Sequence, residues 1–140
     1  MSERPASGSP QDWLHNARSD LLLAQTRRRR GILYAHLCFH AEQAAEKSLK
    51  AVLVALGVSF PKTHDLAFLI DRFPPTITLP TELIDLPKLT KYAVQQRYPG
   101  EAIPVTRADH RQAVHQAEEA VAWATHRVIR HRRSRGPGRR

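Results

Sequence analysis

The sequence predicts an all-α fold: an up-and-down helical bundle of four long helices plus a short one. Three observations carry that expectation. Apolar residues recur every three to four positions over long segments, the period of a helix with one buried face. The longest such segment, Ile32 to Leu56, contains neither proline nor glycine and is rich in Ala, Leu, Glu, Gln and Lys. No stretch alternates apolar and polar residues for long enough to argue for a strand.

The first helix opens at Ser9-Pro10-Gln11-Asp12, with a serine cap, a proline in the first turn and an acid at the positive helix end. Trp13, Ala17, Leu21 and Ala24 mark its inward stripe. After Gly31, a long central helix carries Leu33, Leu37, Ala41, Ala44, Ala51 and Ala55, and Gly57 supplies its stop. Thr63 is the expected cap of a short helix bearing Leu66, Leu69, Ile70 and Phe73, which Pro74-Pro75 halts. Thr81 to Ile84 has the look of a single turn. Leu86, Leu89, Tyr92 and Ala93 outline a fourth helix from about Pro87 to Tyr98-Pro99-Gly100. Thr106-Arg107-Ala108-Asp109 resembles a capping box with Asp in the usual Glu position, and it launches a last helix along Ala113, Ala117, Ala120, Val121, Ala124 and Val128. The alanines of the central and last helices predict that these two pack closely, because alanine lets helix axes approach.

At 140 residues and 15.9 kDa the chain has room for one core. The expected division is a flexible N-terminus over 1–8, the bundle over 9–128 and a flexible basic tail over 129–140. Lys+Arg number 22 against 13 Asp+Glu, a formal net charge of +9. The excess is uneven: seven arginines and no acid lie between Arg127 and Arg140, and Arg27 to Arg30 form a second run. Such runs attract phosphate backbones by counterion release, although no aromatic residue interleaves the tail arginines as a stacking platform. No 18-residue stretch is free of charge, which argues against a membrane span. The polar first residues lack the apolar core of a secretory signal, and the single Cys38 cannot form an intramolecular disulfide. A cytoplasmic protein is the resulting expectation.

On the central helix, Phe39-His40-Ala41-Glu42-Gln43-Ala44-Ala45-Glu46-Lys47-Ser48-Leu49-Lys50-Ala51 resembles the signature helix of the HEPN domain family (higher eukaryotes and prokaryotes nucleotide-binding). Thr63-His64-Asp65-Leu66, then Tyr92 followed by Arg97-Tyr98-Pro99, fall in the family's order. The resemblance covers roughly Trp13 to Arg127. It implies a helical bundle that forms homodimers. In prokaryotes it implies partnership with a minimal nucleotidyltransferase in a two-protein module of toxin–antitoxin type. Some members are metal-independent ribonucleases; others are believed to bind nucleotides or to serve as partners, which makes ATP or another nucleotide the ligand to expect here and no cofactor.

Two site hypotheses follow. His40, Gln43, Lys47 and Lys50 step by three, four and three along one side of the central helix, a strip of cations and an amide suited to phosphates. His64, and Arg97 as a phosphate clamp, complete that nucleotide-binding set. Glu46 and Lys50, four apart, also suit a helical ion pair. The alternative is a ribonuclease: family nucleases pair an arginine with a histidine after four to six intervening residues. The histidine then acts as general base on the ribose 2′-OH while the arginine stabilises the phosphorane. Arg30 and His36 fit with five intervening residues, yet the family's motif normally lies later in the bundle. A third reading is a structural bundle tethered to RNA or DNA by the basic tail. No metal site is expected. His36 and His40 are suitably spaced, but no acid completes the set, with Glu42 and Glu46 expected to point elsewhere.

Overall fold

The computed structural model describes residues 4–95 and 104–135. Its order is α1 (Pro10–Ala24), α2 (Tyr34–Ala55), α3 (Leu66–Asp71), two 3-10 turns (Thr81–Leu83 and Leu86–Leu89), α4 (Thr90–Gln95) and α5 (Arg107–Arg135). The described residues are all helix, turn and loop, with no strand. Among the described residues, no helix is long and apolar enough to cross a membrane.

The local signals act as their chemistry requires. Ser9 Oγ accepts the Asp12 N–H at 3.1 Å, and Pro10 occupies the first turn of α1. Gly57 follows α2 at φ 73°, a left-handed conformation that glycine adopts without the Cβ clash of other residues. At α5 the capping box is reciprocal. Asp109 N–H donates to Thr106 Oγ1 at 3.1 Å and Thr106 N–H to Asp109 Oδ2 at 2.9 Å. That backbone donor, then the Thr106 side chain, holds the Asp109 carboxyl below its ordinary range.

Three boundaries differ from expectation. The cap of α3 is Asp65, whose carboxylate accepts the Phe68 N–H at 3.2 Å; Thr63 instead accepts the Asp65 N–H in the preceding turn. The segment expected as one helix from Pro87 begins as a 3-10 turn and becomes α-helical only at Thr90, and its expected end lies outside the described residues. Thr90 Oγ1 there accepts the Leu66 N–H at 3.2 Å, tying α3 to the start of α4. The last helix runs through Arg135, past the boundary expected at 128, because arginine and isoleucine sustain a helix once α2 and α1 have seated Val128.

Helix α2 is the axis of the bundle, with α1 and α5 packed along it and against each other. Ala41, Ala44, Ala45 and Ala51 are buried, as are Ala113, Ala117, Ala120 and Ala124 facing them from α5. Leu49, Leu53, Leu66, Leu69, Leu83 and Leu86 fill the space beneath the shorter elements. Each contributes about 1.5–3 kcal/mol of transfer free energy. Trp13 meets the edge of Phe60 and Trp123 that of Phe73, so both indoles anchor the core. Cys38 is buried, and that burial pushes its thiol up to about 11, far from nucleophilic use.

Candidate functional site

The 3.6-residue period of α2 turns the predicted strip toward α1, and there its cations meet acids. Asp20, on the inward stripe of α1 between Ala17 and Ala24, takes both His40 and Lys47. His40 Nδ1 lies 3.0 Å from Asp20 Oδ1, and Lys47 Nζ donates to Asp20 Oδ2 at 2.6 Å. One turn on, Glu46 takes the other two. Lys50 Nζ donates to Glu46 Oε2 at 2.8 Å and to the Thr63 carbonyl at 3.1 Å. His64 Nδ1 lies 2.7 Å from Glu46 Oε1.

Five of the six predicted nucleotide-binding residues are thus brought together, but each lysine and histidine among them faces a carboxylate. Lys50 is buried, with its ammonium 5.5 Å from the Trp13 ring centroid and 5.6 Å from that of Phe60. An ammonium so placed is stabilised by the ring faces as well as by Glu46. Gln43 Nε2 donates to Glu42 Oε1 at 2.7 Å and reaches Glu46 Oε1 at 3.4 Å. Arg97 lies outside the described residues.

Glu42 is a residue to which sequence reasoning gave no place beyond pointing away from His36 and His40. It points inward beside Glu46 and is fully buried. Desolvation, then the Glu46 charge, pushes its carboxyl up to about 9, so it keeps its proton at neutral pH. Its Oε2 atom has no hydrogen-bond partner among the described residues. The signal was present: Glu42, Glu46, Leu49 and Leu53 follow the four-three-four steps of an inward face. Asp20 was missed for the same reason, being an acid at apolar spacing on α1.

A second locus lies where the end of α1, the start of α2 and the start of α5 converge. Here a cleft of about 480 Å³ is lined by Gln25, Thr26, Arg27, Arg28, Tyr34, Arg107, His110 and Arg111. Four arginines line it and no acid does. All four are exposed, and none pairs with a carboxylate among the described residues. Arg28 lays its guanidinium 4.5 Å from the Tyr34 ring centroid and donates from Nε to the Ile32 carbonyl at 3.0 Å. Tyr34 in turn lies against His110, ring centroids 5.5 Å apart. His110 Nε2 lies 2.7 Å from the Ala24 carbonyl, which pins the start of α5 to the end of α1. Arg107 begins α5, so the cleft also receives the positive end of that helix. Arg27 and Arg28 belong to a run visible in the sequence. Nothing in the spacing announced that Arg107 and Arg111 join them.

Arg30 and His36 sit just outside this cleft. Arg30 is exposed in the α1–α2 loop, and His36 is exposed in the first turn of α2. Neither side chain makes a hydrogen bond or ion pair among the described residues.

Residues 10–128 match the HEPN domain family. Among solved structures, the chain is similar to TT1696 from Thermus thermophilus, at 32% identity and a TM-score of 0.72, over 86% of this chain and 98% of that one. It is also similar to ST0689, described as an archaeal HEPN homologue, at 24% identity and a TM-score of 0.67 over the same shares; at that identity the likeness is one of fold. No curated protein gives a match.

Proposed function

The chain belongs to the HEPN domain family, and from that premise we propose that it is a nucleotide-binding partner protein, taking the ligand's phosphates in the arginine cleft. One observation carries this reading: the cleft gathers four exposed arginines, with no acid in its lining, around the tilted Tyr34–His110 ring pair. Its volume falls within the range of small-molecule sites, about 300–1,000 Å³. Guanidinium forks bond phosphate oxygens bidentately, and the His110 ring lines the cleft beside them.

The polar strip on α2 supports the reading less well. A phosphate approaching His40 or Lys47 has to displace Asp20, and one approaching Lys50 has to enter the core. These residues fix α1 and the α3 loop onto α2, which positions the cleft. The biological setting is the one the family resemblance implies: a homodimer working with a minimal nucleotidyltransferase in a toxin–antitoxin-type module.

Calorimetric titration of ATP into the full chain tests the binding site. The expected result is saturable binding that weakens at least about tenfold, near 1.4 kcal/mol, in an Arg107→Glu/Arg111→Glu double variant and hardly changes in Lys47→Ala. Binding that survives the double variant, or is lost with Lys47 alone, overturns the assignment to the cleft. Co-purification with the product of a neighbouring nucleotidyltransferase reading frame, followed by a mass measurement, tests the partner and the homodimer.

A further inference from the structure

We propose that Glu42, Glu46 and His64 form a binding site for one divalent transition-metal ion of the zinc or manganese class. One carboxylate oxygen from each glutamate and the imidazole Nδ1 all lie within 4.8 Å of one another. Mixed imidazole–carboxylate sets suit these borderline ions, whereas calcium and magnesium favour oxygen donors alone.

A cluster of acids is common without an ion, but this one has two further properties. The first is Glu42 Oε2: it is fully buried and without a hydrogen-bond partner among the described residues, on a side chain that belongs to the cluster. A buried oxygen in that state costs about 1–3 kcal/mol, and an ion bound beside it supplies the missing interaction as the Glu42 carboxyl gives up its proton to solvent. The second is an outer layer that holds the ligands in place. Gln43 Nε2 donates to Glu42 Oε1, and Lys50 Nζ donates to Glu46 Oε2 while anchored by the Thr63 carbonyl. Carboxylate ligands in metal sites are ordinarily oriented by such second partners.

The geometry needs little movement. Bonds of about 2.0–2.2 Å around a tetrahedral ion put ligand atoms about 3.3 Å apart. His64 Nδ1 and Glu46 Oε1 already stand at 2.7 Å. Rotation of the Glu42 carboxyl and a small withdrawal of His64 close the set. His64 has half of its side chain exposed, at 51%, so an ion enters past the imidazole with no opening of the core. Three protein ligands leave a fourth position, facing solvent on the His64 side, for water.

The site uses α2 and the turn before α3, and shares no residue with the arginine cleft, so it stands or falls apart from the nucleotide reading. Its test is calorimetric titration of ZnCl2, and separately MnCl2, into the full chain after dialysis against EDTA. Visible absorption of the Co(II)-substituted protein is the second readout. The expected result is one equivalent per chain for at least one of these ions, weakened at least about tenfold by His64→Ala, with the Co(II) ligand-field bands lost in the same variant. His64 is at the surface, so that variant folds; Glu42→Gln is the confirming change, and His36→Ala, on the same helix as the glutamates but away from the cluster, leaves binding unchanged. No saturable binding of either ion, or binding and Co(II) spectra unaltered in His64→Ala, overturns the site.

Discussion

Two groups of basic residues in this molecule behave in opposite ways. Along the seam of α2 with α1 and the turn before α3, His40, Lys47, Lys50 and His64 each have a carboxylate within 3.0 Å, and two acids, Asp20 and Glu46, serve all four. At the end of the bundle, Arg27, Arg28, Arg107 and Arg111 face an open cleft with no acid in its lining. Both groups look alike in the sequence as basic residues on helices or just beyond their ends. The difference teaches that a basic strip reads as a ligand site only after its acids are located. A cation already held by a buried carboxylate has little left to offer a phosphate.

The sharpest way to break the comparison is Glu46→Ala. Removing that carboxylate leaves Lys50 buried without its counter-charge, and the expected loss is about 3–5 kcal/mol of unfolding free energy in a urea titration. A loss below about 1 kcal/mol means that the seam is not holding the fold together.

Glu42→Gln probes the same seam through pH. In the chelated wild type, the folded state keeps the Glu42 proton up to about pH 9, while the unfolded chain releases it near the ordinary value of 4.5. Stability contributed by this group is therefore fully present below pH 4.5 and lost as pH rises toward 9, at up to about 1.4 kcal/mol per pH unit. The amide copies the protonated carboxyl without titrating. Urea midpoints of wild type and variant are expected to agree near about pH 5 and to separate by about pH 8, with the variant the more stable. Parallel pH profiles exclude a retained proton.

The cleft is expected to answer in affinity and hardly in stability. Arg107→Glu/Arg111→Glu removes surface guanidinium groups, so its unfolding free energy changes by only a few tenths of a kcal/mol while ATP affinity falls at least about tenfold. The wild type's affinity also falls as salt rises, because phosphate neutralisation releases counterions. A large loss of stability in this variant would move the cleft into the structural class occupied by the seam.

The smallest effect belongs to Arg30 and His36. Both are exposed and free of ion pairs among the described residues, so Arg30→Ala/His36→Ala is expected to leave stability within about 0.5 kcal/mol and ATP binding unchanged. Assay of RNA with and without added EDTA decides their chemistry. Metal-independent cleavage that disappears in the double variant restores the ribonuclease reading.

Much of the fold was legible because its signals are local. The Ser9 cap, the proline-free run of α2, the Gly57 stop and the Thr106–Asp109 box each act within about one helical turn. Neighbours in sequence suffice to read them. The Glu46–Lys50 pair was legible for the same reason. Where a boundary depended on a distant partner, local reading slipped. The segment before α4 stays 3-10 until Thr90, whose hydroxyl bonds the backbone at the start of α3.

The sequence by itself determined an all-helical chain, its HEPN membership through three ordered motifs, and which α2 residues share a side. Only the tertiary structure decided what those residues do. Asp20 reaches His40 and Lys47 across 20 and 27 positions, His64 reaches Glu46 across 18, and the cleft joins Arg28 to Arg107 from distant parts of the chain. Helical periodicity orients a side chain about its own axis, but charge acts through space at a few ångströms. Whether a lysine is a binding group or a structural one is set by the acid that packing brings to it.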